Sequence, residues 1–171
     1  GLFVVRIGAT TWSWRERSRA MEAELAALKH VPEHARIAAF SSGSGCRTWV
    51  LHGYDHLPSL AIVRRRAFVN TQWDIAGSTV MRPIYNLGYG FNDNESSTIS
   101  GPDRRCKGEP LEARLRTLPR ERFDFVWSFA GPAPAGTREW LGPVARGERG
   151  YLYRVVHGGQ ERKIALPPQA S

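Results

Sequence analysis

Cysteine is scarce, acidic residues are outnumbered, and no apolar stretch is long. With only Cys46 and Cys106, and no Cys-x-x-Cys pair, the common Cys-rich structural zinc site is excluded. No run approaches the ~20 apolar residues that a spanning helix needs, so a complete transmembrane helix is absent. The chain has no Gly-x-Ser-x-Gly elbow, and no pair of carboxylates stands out for glycosidase work. No catalytic constellation emerges and no cofactor is implied, so whether the chain is an enzyme stays open. An internal repeat is also missing.

What is present fits one ordinary globular domain. A chain of 171 residues, 42% hydrophobic and 11% aromatic, can bury a sizeable core. Twenty-four Lys and Arg against sixteen Asp and Glu give a formal charge of +8, which favours anionic partners. Arginine strongly outnumbers lysine. Its planar fork suits phosphate, but a high-GC genome gives the same bias.

The chain opens on Gly-Leu-Phe-Val-Val-Arg-Ile-Gly, an apolar run followed only later by Arg15, Arg17 and Arg19. A secretory signal places its charge first, so this order is expected of an exit from a membrane. An ordinary buried element is the alternative. From about Thr10 to His30, Trp14, Met21, Leu25 and Leu28 fall at offsets of seven, four and three, which predicts an amphipathic helix stopped by Pro32. The expected organisation is a membrane-exit segment and linker helix over 1–31 and a soluble domain over 32–171.

Within that domain, Ala35 to Phe40 is expected to be a buried strand entering the loop Ser41-Ser-Gly-Ser-Gly45. Leu57 to Trp73 suggests a helical turn leading into a strand, with a continuous helix as the alternative, and the Gly-, Asn- and Pro-rich span 82–109 a long irregular excursion. Leu111 to Leu118 has helical leucine spacing, and Phe123-Asp-Phe-Val-Trp-Ser-Phe129 is the clearest strand. A helix around Thr137 to Leu141, a turn at Arg146 to Gly150, and strands over Tyr151 to Val156 and Lys163 to Leu166 complete the pattern. The fold class predicted is α/β, a single domain with a mixed sheet of about four to six strands flanked by helices.

Several residues invite a functional reading. Gly43-Ser-Gly45 follows a strand, as phosphate-cradling loops do, but lacks the third glycine of a dinucleotide fingerprint and any Gly-Lys-Ser/Thr. A turn is the simpler assignment, and a small nucleotide-using enzyme the weaker alternative. His52, Asp55 and His56 gather two imidazoles and a carboxylate within five residues. Gly53 and Pro58 interrupt a helix there and no third ligand is apparent, so no metal site is assigned. Arg64-Arg-Arg66 is the densest basic run, yet on a strand its members alternate faces. The candidate ligand contacts are His52, Asp55, His56, Arg64, Arg66, Asn70 and Gln72.

The stretch His56-Leu-Pro-Ser-Leu-Ala-Ile-Val-Arg-Arg-Arg-Ala-Phe-Val-Asn-Thr-Gln-Trp73 resembles a segment in the C-terminal soluble regions of bacterial polytopic membrane proteins, some of them similar to lipid-linked-sugar glycosyltransferases. The order around it is similar as well, with Phe123-Asp-Phe-Val-Trp127 and a closing Tyr-Leu-Tyr-Arg-Val strand. The resemblance implies an accessory domain of a membrane glycosyltransferase-like protein, attached through preceding spans, with an acceptor or lipid-linked sugar phosphate as the possible ligand. It carries no catalytic residue over, because the catalytic acid of that class lies near the first spans.

An extracytoplasmic, periplasmic location would suit a Cys46 to Cys106 disulfide, although two free thiols remain open. Such a bridge would close a loop of about 60 residues and contribute roughly 4 kcal/mol against the unfolded chain. Arg15, Arg17 and Arg19 favour the cytoplasmic side instead, but the expected location is extracytoplasmic. A basic module for nucleic acid or an anionic surface is the alternative function, with nucleic acid the less favoured partner.

Overall fold

The computed structural model describes residues 1–42, 54, 56–71, 91, 94–99 and 109–158. The chain begins with a helix of 24 residues, Leu2–Leu25 (α1), about 36 Å long at the usual rise. Only Gly8 interrupts a run of tolerable helix formers. The backbone then tightens into the 3₁₀ turn Ala26–His30 and becomes extended at Val31. Pro32 follows and the helix cannot resume.

The amphipathic stripe expected from Thr10 to His30 is present only at its lower end. Leu25 and Leu28 are buried and Met21 packs beside them, but Trp14 is 74% exposed. Helix α1 starts well before Thr10, and residues 1–19 are all exposed because no described element rises alongside them. No helix among the described residues is long and apolar enough to cross a membrane.

The sheet is mixed, as expected. Its strands are Arg36–Ser42 (β1), Phe68–Val69 (β2), Thr98–Ile99 (β3), Phe125–Ser128 (β4), Leu141–Arg146 (β5) and Tyr151–Val155 (β6). The order is β2-β1-β4-β6-β5, with β3 also paired to β1. β2, β3 and β4 run parallel to β1, whereas β6 runs antiparallel to both β4 and β5.

Strand β1 is buried on both faces, which explains its near-continuous apolar sequence. Ile37 and Ala39 join Leu25, Leu28, Ala61 and Trp127 in one core layer. Ala38 and Phe40 join Leu115, Phe68 and Val126 in the other. The helix Leu60–Arg65 (α2) connects β1 to β2 over the first face through Ala61, while Leu111–Thr117 (α4) leads to β4 over the second through Leu115. The crossovers travel in opposite directions and use opposite faces, so both have the same hand. A four-residue helix, Asn94–Ser97 (α3), precedes β3.

At the amino ends of the parallel strands, Asp124 and Arg36 lock β4 to β1. The carboxylate accepts from Arg36 N at 2.9 Å, Nε at 3.0 Å and Nη2 at 2.8 Å. Such a forked pair fixes register as well as contributing energy.

Two strands depart from expectation. β5 occupies sequence read as the end of a helix and a turn, since Gly142 and Pro143 weaken any strand signal. Pro143 is tolerated because β5 is an edge strand, and its ladder with β6 shifts register between Pro143 and Ala145. β3 lies inside the span read as irregular, and its two residues are too few for a periodic pattern. The strand expected over Lys163 to Leu166 lies outside the described residues.

Burial separates the tryptophans energetically. Trp127→Ala should lower unfolding free energy by about 3–5 kcal/mol in urea denaturation. Trp14→Ala in water should change it by less than about 0.5 kcal/mol.

Candidate functional site

In an open parallel sheet, ligands favour the carboxyl edge where successive connections leave for opposite faces. Here that point lies beyond β1 and β2, whose chains continue to α2 on one face and towards α4 on the other. The described side chains at this edge are mainly polar and enclosed: Ser41, Asn70, Thr71, Ser96 and Ser97 are all buried.

Asn70 explains why they gather. β2 pairs with β1 only at Arg36 and Ile37, and β3 takes over at Ser41 and Ser42. Between them the Ala39 amide would be an orphan, and Asn70 Oδ1 accepts from it at 2.7 Å. Asn70 Nδ2 donates to Ser96 Oγ at 3.0 Å, tying α3 to the same joint. One turn away the Ser59 and Thr71 hydroxyls meet at 2.8 Å, anchoring the start of α2. Asn70 is fully buried, so its amide replaces a missing rung of the ladder.

The other described candidate residues, His56, Arg64 and Arg66, do not converge there. His56 is exposed and its carbonyl accepts the Ser59 amide at 3.1 Å, opening the 3₁₀ turn Leu57–Ser59. Arg64 and Arg66 sit at the far end of α2. Arg64 donates to Glu22 of α1, and Arg66 adopts a left-handed φ of 48° as the helix ends. Arg65 turns inward, its Nε donating to Leu28 O at 2.8 Å. Each member of the arginine run therefore has a separate task. His52, Asp55, Gln72, Cys46, Cys106 and the Gly43 to Gly45 loop lie outside the described residues.

Glu24 is the polar centre that sequence reasoning missed. It lies in the last turn of α1, is 2% exposed, and reaches the tip of the β5–β6 hairpin. Its carboxylate accepts from Arg149 N at 2.7 Å and Gly150 N at 3.0 Å. The hairpin closes on itself through Gly147 N donating to Gly150 O at 2.8 Å. A Cβ at Gly147 would overlap the carboxylate, and one at Gly150 would stand 2.7 Å from Glu24 Oε2 and 2.9 Å from Phe129. The glycines at Arg146-Gly-Glu-Arg-Gly150 were legible as a turn; that they make room for an acid from residue 24 was not.

Around this tip aromatic rings and arginines alternate. Tyr54 stacks on Phe129 with centroids 6.0 Å apart, and Phe129 meets Trp127 at 5.0 Å. Arg149 lies 5.2 Å over the Tyr54 ring and Arg146 5.3 Å over Tyr151. Tyr54, from within the His52 to His56 motif, supplies one of these rings.

Chemically, the described acids act as acceptors. Glu24 and Asp124 are both engaged by N–H donors, and no three His, Cys, Asp or Glu among the described residues form a metal-holding group. The Glu22 carboxyl is held below its usual range by the Arg64 hydrogen bond, opposed by desolvation and helped by Arg64's charge. No protein-family model, curated protein or solved structure matches the chain.

Asn70→Ala should cost about 1–3 kcal/mol in chemical denaturation, because the buried Ala39 amide loses its acceptor. Glu22 has a depressed folded pKa, so its contribution is present above the unfolded carboxylate pKa and is lost as pH falls through the folded one. A Glu22→Gln variant should therefore differ slightly from the parent at neutral pH and converge with it in acid, measured by thermal melts; the pair is exposed, so the difference is small.

Proposed function

We propose that this chain is a non-catalytic, membrane-associated α/β domain, accessory to a lipid-linked-sugar glycosyltransferase-like protein and held at a bilayer by α1. The observation that carries this reading is the exposure of Leu2, Phe3, Val4, Val5, Ile7, Trp12 and Trp14 on a helix that leaves the core. Consecutive helical residues are 100° apart, so Leu2 to Val5 cover the whole circumference. A helix lying flat on a surface needs a polar side, and this segment has none. End-on insertion covers every side at once.

The order along the helix supports lipid as the cover. Apolar turns come first, Trp12 and Trp14 follow at the depth where indole rings favour the interface, and Arg15, Arg17 and Arg19 come next at headgroup level. Arg6 interrupts the apolar turns, and its long stem allows the charge to snorkel outward. Binding nucleic acid would use the positive charge but leave the apolar turns in water. Under this reading the domain presents its loops to an acceptor or sugar phosphate, and an extracytoplasmic setting is favoured if Cys46 and Cys106 pair.

Vesicle flotation tests the reading. The full chain should float with phosphatidylcholine vesicles. Replacing Leu2, Phe3, Val4 and Val5 by Ser should reduce partitioning at least about a hundredfold, given roughly 1.5–3 kcal/mol per buried apolar side chain. Equal flotation of the two proteins, or none by the parent, would sink the proposal.

A further inference from the structure

We infer that the tip of the β5–β6 hairpin is a second membrane contact, in which Arg146 and Arg149 bind the phosphates of anionic lipid headgroups. The inference rests on the membrane reading of α1 and adds to it a lipid preference and the residues that confer it. Both arginines are exposed, and neither has a carboxylate partner among the described residues. Some other exposed arginines are paired, Arg19 with Glu16, Arg64 with Glu22 and Arg116 with Glu112, whereas Arg6, Arg15, Arg17, Arg66, Arg120 and Arg138 have no carboxylate partner among the described residues either. Arg146 and Arg149 instead lie over the rings of Tyr151 and Tyr54. Stacking orients a guanidinium without consuming its N–H donors, which stay available for phosphate oxygens.

The tip is also held in place. Glu24 binds the Arg149 and Gly150 amides, and the Gly147 to Gly150 hydrogen bond closes the turn. Little freedom is lost when such a tip meets a surface. Its distance from the interface follows from the helix. Glu24 lies ten residues beyond Trp14, about 15 Å along the axis. Arginine side chains reach roughly half of that, and the remainder is within the ~8–10 Å over which a charged surface acts at ordinary salt. Glu148, exposed between the two arginines, and the buried Glu24 beneath them together offset both charges, so the excess positive charge at this end of the molecule comes from Arg15 and Arg17 on α1, and the hairpin pair contributes exposed donors rather than net charge.

A lipid surface suits the arrangement better than a single-phosphate pocket. The two guanidinium groups are exposed, stand on separate rings, and share a side of the fold with the membrane helix.

The test compares the full chain with Arg146→Ala/Arg149→Ala and with Arg120→Ala/Arg138→Ala. The second pair removes equal charge from the opposite end of the sheet, where Arg120 covers Trp140. Each is titrated with phosphatidylcholine vesicles and with mixed phosphatidylglycerol and phosphatidylcholine vesicles. The hairpin variant should bind neutral vesicles like the parent and bind anionic vesicles more weakly, roughly fivefold per arginine and about thirtyfold for both. The control pair should bind both like the parent. Unchanged anionic binding by the hairpin variant, or an equal loss in the control pair, would falsify the inference while leaving the membrane reading of α1 intact. Failure of the parent to bind neutral vesicles removes the α1 reading and the inference with it. A nucleic-acid role replaces the lipid one if a single-stranded oligonucleotide shows the arginine dependence and anionic vesicles do not.

Discussion

Glu24 is a charged side chain in a place where burying charge is costly, and the arrangement of the molecule depends on how that cost is met. No cation among the described residues neutralises it. Two backbone amides at the tip of the β5–β6 hairpin do so, at 2.7 and 3.0 Å. A buried acid without those donors would be strongly destabilising, so helix and hairpin adopt this geometry together. Gly147 and Gly150 are required because any side chain there would occupy the space of the carboxylate or of Phe129. The same contact sets where α1 leaves the domain, and so where its exposed apolar turns stand relative to the hairpin arginines.

A second constraint comes from β1. Because it is covered on both faces, its neighbours must be reached by crossovers on opposite sides, and the chain diverges at the carboxyl edge. β2 is too short to accompany β1 along its length, and β3 continues where it stops. Asn70 and Ser96 fill the gap between them. Polar residues at a place where such folds bind ligands thus hold the ladder together. The functional weight moves outward, to the exposed helix and to the rim around Tyr54, Arg146 and Arg149.

Much of the fold was legible because local patterns report burial. The apolar run Ala35 to Phe40, the aromatic strand at Phe125 to Ser128 and the leucine spacing of α4 all mark core elements without knowledge of their partners. β5 and β3 were not legible, because their pairing is supplied by β6 and β1 rather than by their own residues. Of the candidate contacts, Asn70 was named within the His56 to Trp73 segment, but its partners are 31 and 26 positions away. Arg64 and Arg66 stood out as a charge run, and the fold separates them from Asn70 along α2.

By itself the sequence determined the α/β class, the mixed sheet, the positive charge and the apolar opening, since each follows from composition and from periodicities of 2 and 3.6 residues. Tertiary structure decided that Trp14 is exposed while Trp127 is enclosed, that Glu24 organises a polar centre with the β5–β6 hairpin, and that Arg146 and Arg149 are without carboxylate partners among the described residues. The reason is range. Helix and strand preferences act over a few residues, whereas the donors that satisfy Glu24 come from residues 125 and 126 positions along the chain.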